Sequence, residues 1–125
     1  MSAADEGWRP LVDAGAVGAG AVVAAEVDGR ELVVWRRPDG CPVVMDARCP
    51  HEWSHLAADG AVDGDEIVCL AHFWRFDATG RGTKLNVKGR RDEKAPIPTF
   101  AARERAGVIE ARLPPHGPTP DQAVS

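Results

Sequence analysis

Tyrosine is absent from the 125-residue chain, and lysine occurs only at 84, 88 and 94. Basic charge therefore rests mostly on arginine, and it is outnumbered: 15 Lys and Arg face 19 Asp and Glu, for a formal net charge of -4. A nucleic-acid binder needs a cationic footprint to displace phosphate counterions, so no nucleic-acid partner is expected. Long hydrophobic runs are missing too. The longest weakly polar stretch, Ala14 to Ala25, is short and rich in Gly and Ala, whereas a membrane span needs about 20 apolar residues. No membrane partner is expected. The start, MSAADEGWRPLVD, carries three acids and one Arg, unlike the positive start of a secretory signal, so the expectation is a soluble cytoplasmic protein. Cysteine is scarce and odd in number, with Cys41, Cys49 and Cys69 alone. Reduced thiols or metal ligands fit that count, and a disulfide framework does not.

What is present is a rhythm. Glycine and proline punctuate short Val-rich segments: AVVAAEV, ELVVWRR, CPVVMDA, EIVCLA, PIPTF and VIEARL. That pattern predicts an antiparallel all-β domain. Asp28-Gly29 reads as a hairpin turn, Pro38-Asp39-Gly40 closes the next run, and Asp63-Gly64 precedes a later one. No long segment repeats apolar residues at helical spacing, so little helix is expected, with Leu11 to Ala16 a short turn. One domain over 1–113 uses the length, and the proline-rich 114–125 reads as a flexible C-terminal tail.

Two stretches escape turn chemistry: CPHEWSHLA from Cys49 and CLAHFWRF from Cys69. The first holds a C-x-H pair, Cys49 and His51; the second a C-x-x-H pair, Cys69 and His72, with seventeen residues between His51 and Cys69. Each loop offers one thiolate and one imidazole. Such a set binds either one tetrahedral zinc or a mixed-ligand [2Fe–2S] cluster. Zinc knuckles usually gather like ligands into like pairs, whereas two mixed loops suit a binuclear centre gripped from both sides, one iron taking the cysteines and the other the histidines. The segment His51 to His55 also matches H-E-x-x-H, a zinc-protease pattern that requires a helix. That reading leaves Cys49, Cys69 and His72 unexplained.

The order C-P-H, seventeen residues, C-L-A-H resembles a Rieske iron–sulfur domain over roughly Trp8 to Pro114. The resemblance implies an all-β Rieske-type fold of three small antiparallel sheets, with a cluster-binding subdomain at about 46–80. It implies one [2Fe–2S] cluster per chain, with Cys49, His51, Cys69 and His72 as its iron ligands, and one-electron transfer as its chemistry. Neutral imidazoles in place of two thiolates remove negative charge from the cluster and ease its reduction. Their second ring nitrogens would couple reduction to proton uptake at His51 and His72. The respiratory branch of the family carries an extra Cys in each loop, joined as a disulfide, and hydroxyl groups beside the sulfurs. Here Cys41 lies outside the loops, Phe73-Trp74 follows His72 and there is no Tyr. The resemblance therefore lies with the oxygenase branch, strengthened by H-F-W-R-F-D-A-T-G after the second loop, and implies a potential low in the Rieske range.

This reading expects a ferredoxin-like component of a multicomponent ring-hydroxylating oxygenase, with a flavin or ferredoxin reductase and a terminal oxygenase as partners. No catalytic residue is expected in the sequence, which holds no mononuclear-iron site of two His and one carboxylate. The alternatives are a permanently docked or redox-sensing Rieske module and, further off, a zinc protein. Around the ligands, Trp53 and Trp74 are read as shielding or docking aromatics, and His55 as a surface histidine with docking or proton relay as its alternative. Cys41 is read as a small apolar strand residue. Trp8 and Trp35 are assigned to the core. Lys88 to Lys94 is read as a solvated loop, with a basic lip for an acidic reductase as its alternative. His116 has no evident partner.

Overall fold

A computed structural model describes residues 7–50 and 53–113 of the chain. Eleven strands alternate with tight turns: β1 (Trp8–Asp13), β2 (Val23–Val27), β3 (Arg30–Arg36), β4 (Pro42–Asp46), β5 (Gly60–Asp63), β6 (Glu66–Cys69), β7 (Trp74–Asp77), β8 (Gly82–Leu85), β9 (Arg91–Lys94), β10 (Thr99–Arg105) and β11 (Val108–Arg112). Among the described residues the helical content is one 3-10 turn at Ala14–Ala16 and one turn of α-helix, α1 (Leu56–Asp59). Strand pairing is antiparallel throughout. No helix among the described residues is long and apolar enough to cross a membrane.

The pairing forms a continuous six-stranded antiparallel sheet, β1-β11-β10-β4-β3-β2, and a separate five-stranded one; only by counting the two halves of the larger sheet apart does the expected number of three sheets emerge. Strand β10 joins the two halves: Ala101 to Arg105 pairs with β11, whose other neighbour is β1, while Thr99 and Phe100 pair with β4, followed by β3 and β2. The third sheet has the order β5-β6-β7-β8-β9. Turn chemistry sets the hairpins: Asp28 and Gly29, both at positive φ (53° and 82°), close the β2–β3 hairpin in two residues. The Asp77 carboxylate accepts from the backbone N–H of Thr79 and Arg81, and the Asn86 amide oxygen does the same for Lys88 and Arg90. Those Asx turns end β7 and β8.

The Val-rich runs are continuous because both faces of β3 and β4 are covered. On one side Val33, Trp35, Val43, Met45, Ala47 and Cys49 face the third sheet, joined there by Ile67, Cys69 and Phe76. On the other, Leu32, Val34 and Val44 meet Val17, Ile109 and Ala111. Period-two alternation thus sorts one hydrophobic run into two cores.

Several expectations need correction. Trp8 is half-buried, not core, because β1 is an edge strand; its ring is covered by the Arg103 guanidinium at 4.1 Å. Cys41 is exposed and precedes β4, held at the end of the turn where its N–H donates to Asp39. The expected turn at 11–16 shrinks to Ala14–Ala16, since Leu11 to Asp13 belong to β1, which pairs with β11. In the basic run, Arg91–Lys94 forms edge strand β9, a charged edge of the kind that resists pairing with other chains. Strands β1, β5, β7 and β8 lie in stretches that the Val-rich pattern did not mark. Residues 114–125, with His116, lie outside the described residues.

The polar face of the third sheet is held by alternating charges. Arg75 pairs with Asp63 and, at 2.8 Å, with Glu66, whose other oxygen takes Arg91 at 2.6 Å. Burial alone would raise the Glu66 carboxyl pKa, but its bonds to Arg91 and Arg75 outweigh burial and hold it below the ordinary value of 4.5. A lowered carboxyl stabilises the fold above its unfolded pKa, and that stabilisation is lost as the pH falls through the native value. Glu66→Gln is expected to cost about 2 kcal/mol at neutral pH, because Arg75 and Arg91 both lose a charged acceptor. Urea unfolding at pH 7 and at pH 3 checks this: the gap between wild type and variant should narrow in acid, and an equal gap at both pH values would contradict the assignment.

Candidate metal centre

Strand alternation decides where the sulfurs go. Cys49 lies at the end of the series Val43, Met45, Ala47 on the inner side, and Cys69 follows Ile67 by two residues on the inner side of β6. Both thiols therefore enter the same apolar cluster, with Cys49 1% and Cys69 2% exposed.

Beyond each cysteine the chain reverses in the same way. The Cys49 N–H donates to the Ser54 carbonyl at 2.9 Å, and Arg48 bridges His55 outside that pair. Cys69 faces Trp74 across β6 and β7, the same separation in sequence. Within each loop, the N–H of the residue four past the cysteine donates to the cysteine carbonyl: Trp53 to Cys49 at 2.7 Å, Phe73 to Cys69 at 2.6 Å. Trp53 and Phe73 have φ of 64° and 66°, left-handed values costly for side-chain-bearing residues. Two different sequences, C-P-H-E-W and C-L-A-H-F, thus close one kind of loop.

The loops are also tied together. The chain runs from the first loop through α1 into β5, where Gly60 pairs with Cys69, and the Leu70 N–H donates to the Asp59 carbonyl at 2.7 Å. Gly60 permits this approach: a Cβ there would lie 2.4 Å from the Leu56 carbonyl oxygen and 3.2 Å from Ile67.

Of the residues singled out from sequence, Cys49 and Cys69 share one core, and His72 is exposed on the second loop. His51 and Glu52 lie outside the described residues. Among the described residues, no group of three or more His, Cys, Asp or Glu forms a metal-holding cluster. The donor chemistry still suits a mixed-ligand iron–sulfur group, because the thiols sit in apolar surroundings while the imidazole on the second loop is exposed. His55 plays a structural part, since its ring Nδ1 accepts the Ala57 N–H at 3.1 Å and caps α1. The helix begins only after it, so the described part of H-E-x-x-H lacks the helical face that a protease site requires. The two tryptophans divide: Trp74 packs on the core beside Phe76, centroids 6.4 Å apart, under the Lys94 ammonium, whereas Trp53 is 68% exposed. Leu70 and Phe73 are exposed as well. Sequence reasoning did not mark them, although bulky apolar residues in a loop with no alternation to bury them are a legible signal.

The model of the Rieske [2Fe-2S] domain matches residues 7–101 of the chain. The chain belongs to the Rieske [2Fe-2S] domain family. A Rieske domain carries a binding site for one [2Fe–2S] cluster. The chain is 33% identical over 103 residues to cholesterol 7-desaturase nvd of Bombyx mori, a match covering 82% of this chain and 23% of that protein. It is 32% identical over 102 residues to the oxygenase component of 3-ketosteroid-9-alpha-monooxygenase from Rhodococcus rhodochrous, covering 82% and 26%. The chain thus spans about a quarter of the length of these curated relatives. In fold, it matches NdmA of Pseudomonas putida CBB5 with a TM-score of 0.74 and 24% identity, over 91% of this chain and 39% of that one. Dicamba monooxygenase matches with a TM-score of 0.75 and 20% identity, over 94% and 37%.

In this Rieske domain, Trp53→Gly and Phe73→Gly are each expected to raise stability by about 1 kcal/mol, because glycine adopts the left-handed conformation freely. Urea unfolding measures this. A loss of stability would mean that the rings contribute packing that outweighs the backbone strain.

Proposed function

We propose that this Rieske domain carries single electrons to an oxygenase or desaturase centre, with Cys49 and Cys69 binding one iron and His51 and His72 the other. The observation that carries the proposal is the delivery of two buried thiols into one core from two loops of matching build, each with its own imidazole in sequence. When bound, a [2Fe–2S] cluster accepts and returns one electron at a time. The chain's own residues supply the surroundings. Leu56, Ile67 and Phe76 keep water from the thiols, and the exposed His72 marks the edge a partner approaches. The relatives named above, a desaturase and an oxygenase component, support an oxygen-activating iron enzyme as the acceptor.

The domain would act as a ferredoxin-like component between a flavin or ferredoxin reductase and that acceptor. A second reading, a Rieske unit permanently docked on the oxygenase, draws on one observation: relatives of the chain include proteins named as an oxygenase component and an oxygenase subunit.

Purified protein should contain iron and acid-labile sulfide in equal amounts and show a rhombic spin signal on reduction. Cys69→Ser should lose the cluster, because the inner thiolate has no substitute nearby. His72→Cys should lower the reduction potential of any cluster it retains, since an anionic ligand replaces a neutral one. Colourless protein holding one zinc per chain would overturn the proposal.

A further inference from the structure

Three of the large hydrophobic side chains that stand exposed among the described residues, Trp53 (68%), Leu70 (52%) and Phe73 (59%), belong to the two cysteine loops. His72 is exposed between the last two. Trp53 and Phe73 sit at left-handed positions, where glycine would serve the fold better. Bulky exposed rings at left-handed positions in a native structure point to use.

The apolar face runs into a charged groove. A cavity of about 510 Å³ opens beneath Trp53 and Pro50, and its walls include Glu26, Glu31, Asp46 and Arg48. Arg48 is already engaged: its Nε donates to Glu31 at 3.0 Å and its Nη1 to the Trp53 carbonyl at 3.3 Å. That holds the loop against the groove wall and neutralises Glu31. The carboxylates of Glu26 and Asp46 make no hydrogen bond or salt bridge among the described residues; burial raises the Asp46 pKa and Arg30 acts on it from farther off, which leaves three carboxylates against two guanidiniums and a net negative groove centred on Glu26.

This combination selects among occupants. An anionic lipid surface would be repelled by the groove. A second copy meeting the same face about a two-fold axis would bring two acidic grooves together. An apolar patch with a neighbouring cation meets both features.

We propose that this end of the molecule docks a redox-partner protein whose apolar contact patch is flanked by a lysine or arginine. The patch would seat on Trp53, Leu70 and Phe73, while the cation enters the groove between Glu26 and Asp46. The inference rests on the electron-carrier reading above and adds the chemistry of the partner's surface.

The test is equilibrium binding of the oxidised holoprotein to two oxidised probes of opposite character, so that no electron is exchanged. One is a cytochrome c with an apolar haem edge ringed by lysines; the other is an acidic plant-type ferredoxin. Titration calorimetry at low and high salt is run on wild type, the Trp53→Gly/Phe73→Gly double variant and the Glu26→Gln/Asp46→Asn double variant. The proposal expects cytochrome c to bind and the ferredoxin not to bind. It expects each double variant to weaken cytochrome binding at least tenfold, and the salt dependence to flatten in Glu26→Gln/Asp46→Asn. Equal binding by wild type and the aromatic variant, preference for the ferredoxin, or no binding to either probe would overturn it. So would a wild-type dimer in sedimentation that the aromatic variant abolishes, or tighter binding to phosphatidylcholine–phosphatidylglycerol vesicles than to cytochrome c. Iron and sulfide are assayed in the same samples. Absence of a cluster refutes the electron-carrier reading, whereas an unchanged binding constant in cluster-bearing variants refutes the docking face alone.

Discussion

Placing two thiols inside one apolar cluster, one closing β6 and the other three residues past β4, is the constraint to which the rest of the molecule answers. A sulfur so placed is dry: Cys69 is fixed by the register of β6, and Cys49, three residues past the end of β4, by the bond from its N–H to the Ser54 carbonyl. Shifting β6 by one residue would turn Cys69 to the opposite face, because side chains alternate with a period of two. The loops beyond can then be short. Each is closed by one hydrogen bond from the fourth residue back to the cysteine carbonyl, so that in the second loop His72 is exposed while the sulfur stays inside.

The surrounding structure keeps that arrangement in register. Helix α1, capped by His55, needs only one turn to carry the chain from the first loop to β5, where Gly60 lets it lie against Ile67. The ion-pair ladder of Asp63, Arg75, Glu66 and Arg91 fastens β5, β6, β7 and β9 on the side away from the core. Against this rigidity stand the strained backbones of Trp53 and Phe73, at the exposed surface proposed to meet a partner. Stability is given up there in exchange for exposed aromatic area.

The all-β class, the hairpin at Asp28-Gly29 and the turn at Asp63-Gly64 ahead of β6 were legible in the sequence, because turn residues declare their backbone geometry locally. Strands β2, β3, β4, β6 and β11 could be read from Val-rich runs. Strands β7, β8 and β9 could not, since a sheet with one charged face shows Arg, Asp, Lys and Glu wherever it meets water or an ion pair. Trp8 and Cys41 were misplaced for a related reason: hydrophobicity predicts that a residue prefers burial, not that an edge strand or a turn has a core to offer it. At the candidate site, the spacing of Cys49, Cys69 and His72 singled out two loops whose thiols the fold brings into one core. The cap made by His55 and the equivalence of the two loops were not legible, because both depend on backbone geometry that C-P-H-E-W and C-L-A-H-F do not share as text.

The central claim is that two sulfurs and two imidazoles from these loops grip one pair of irons. Electron–nuclear double resonance on the reduced protein, with histidine labelled by nitrogen-15, addresses it most directly. The account predicts two strongly coupled histidine nitrogens in wild type and one in His72→Cys. A wild-type spectrum with no strongly coupled nitrogen, or one that His72→Cys leaves unchanged, would contradict it.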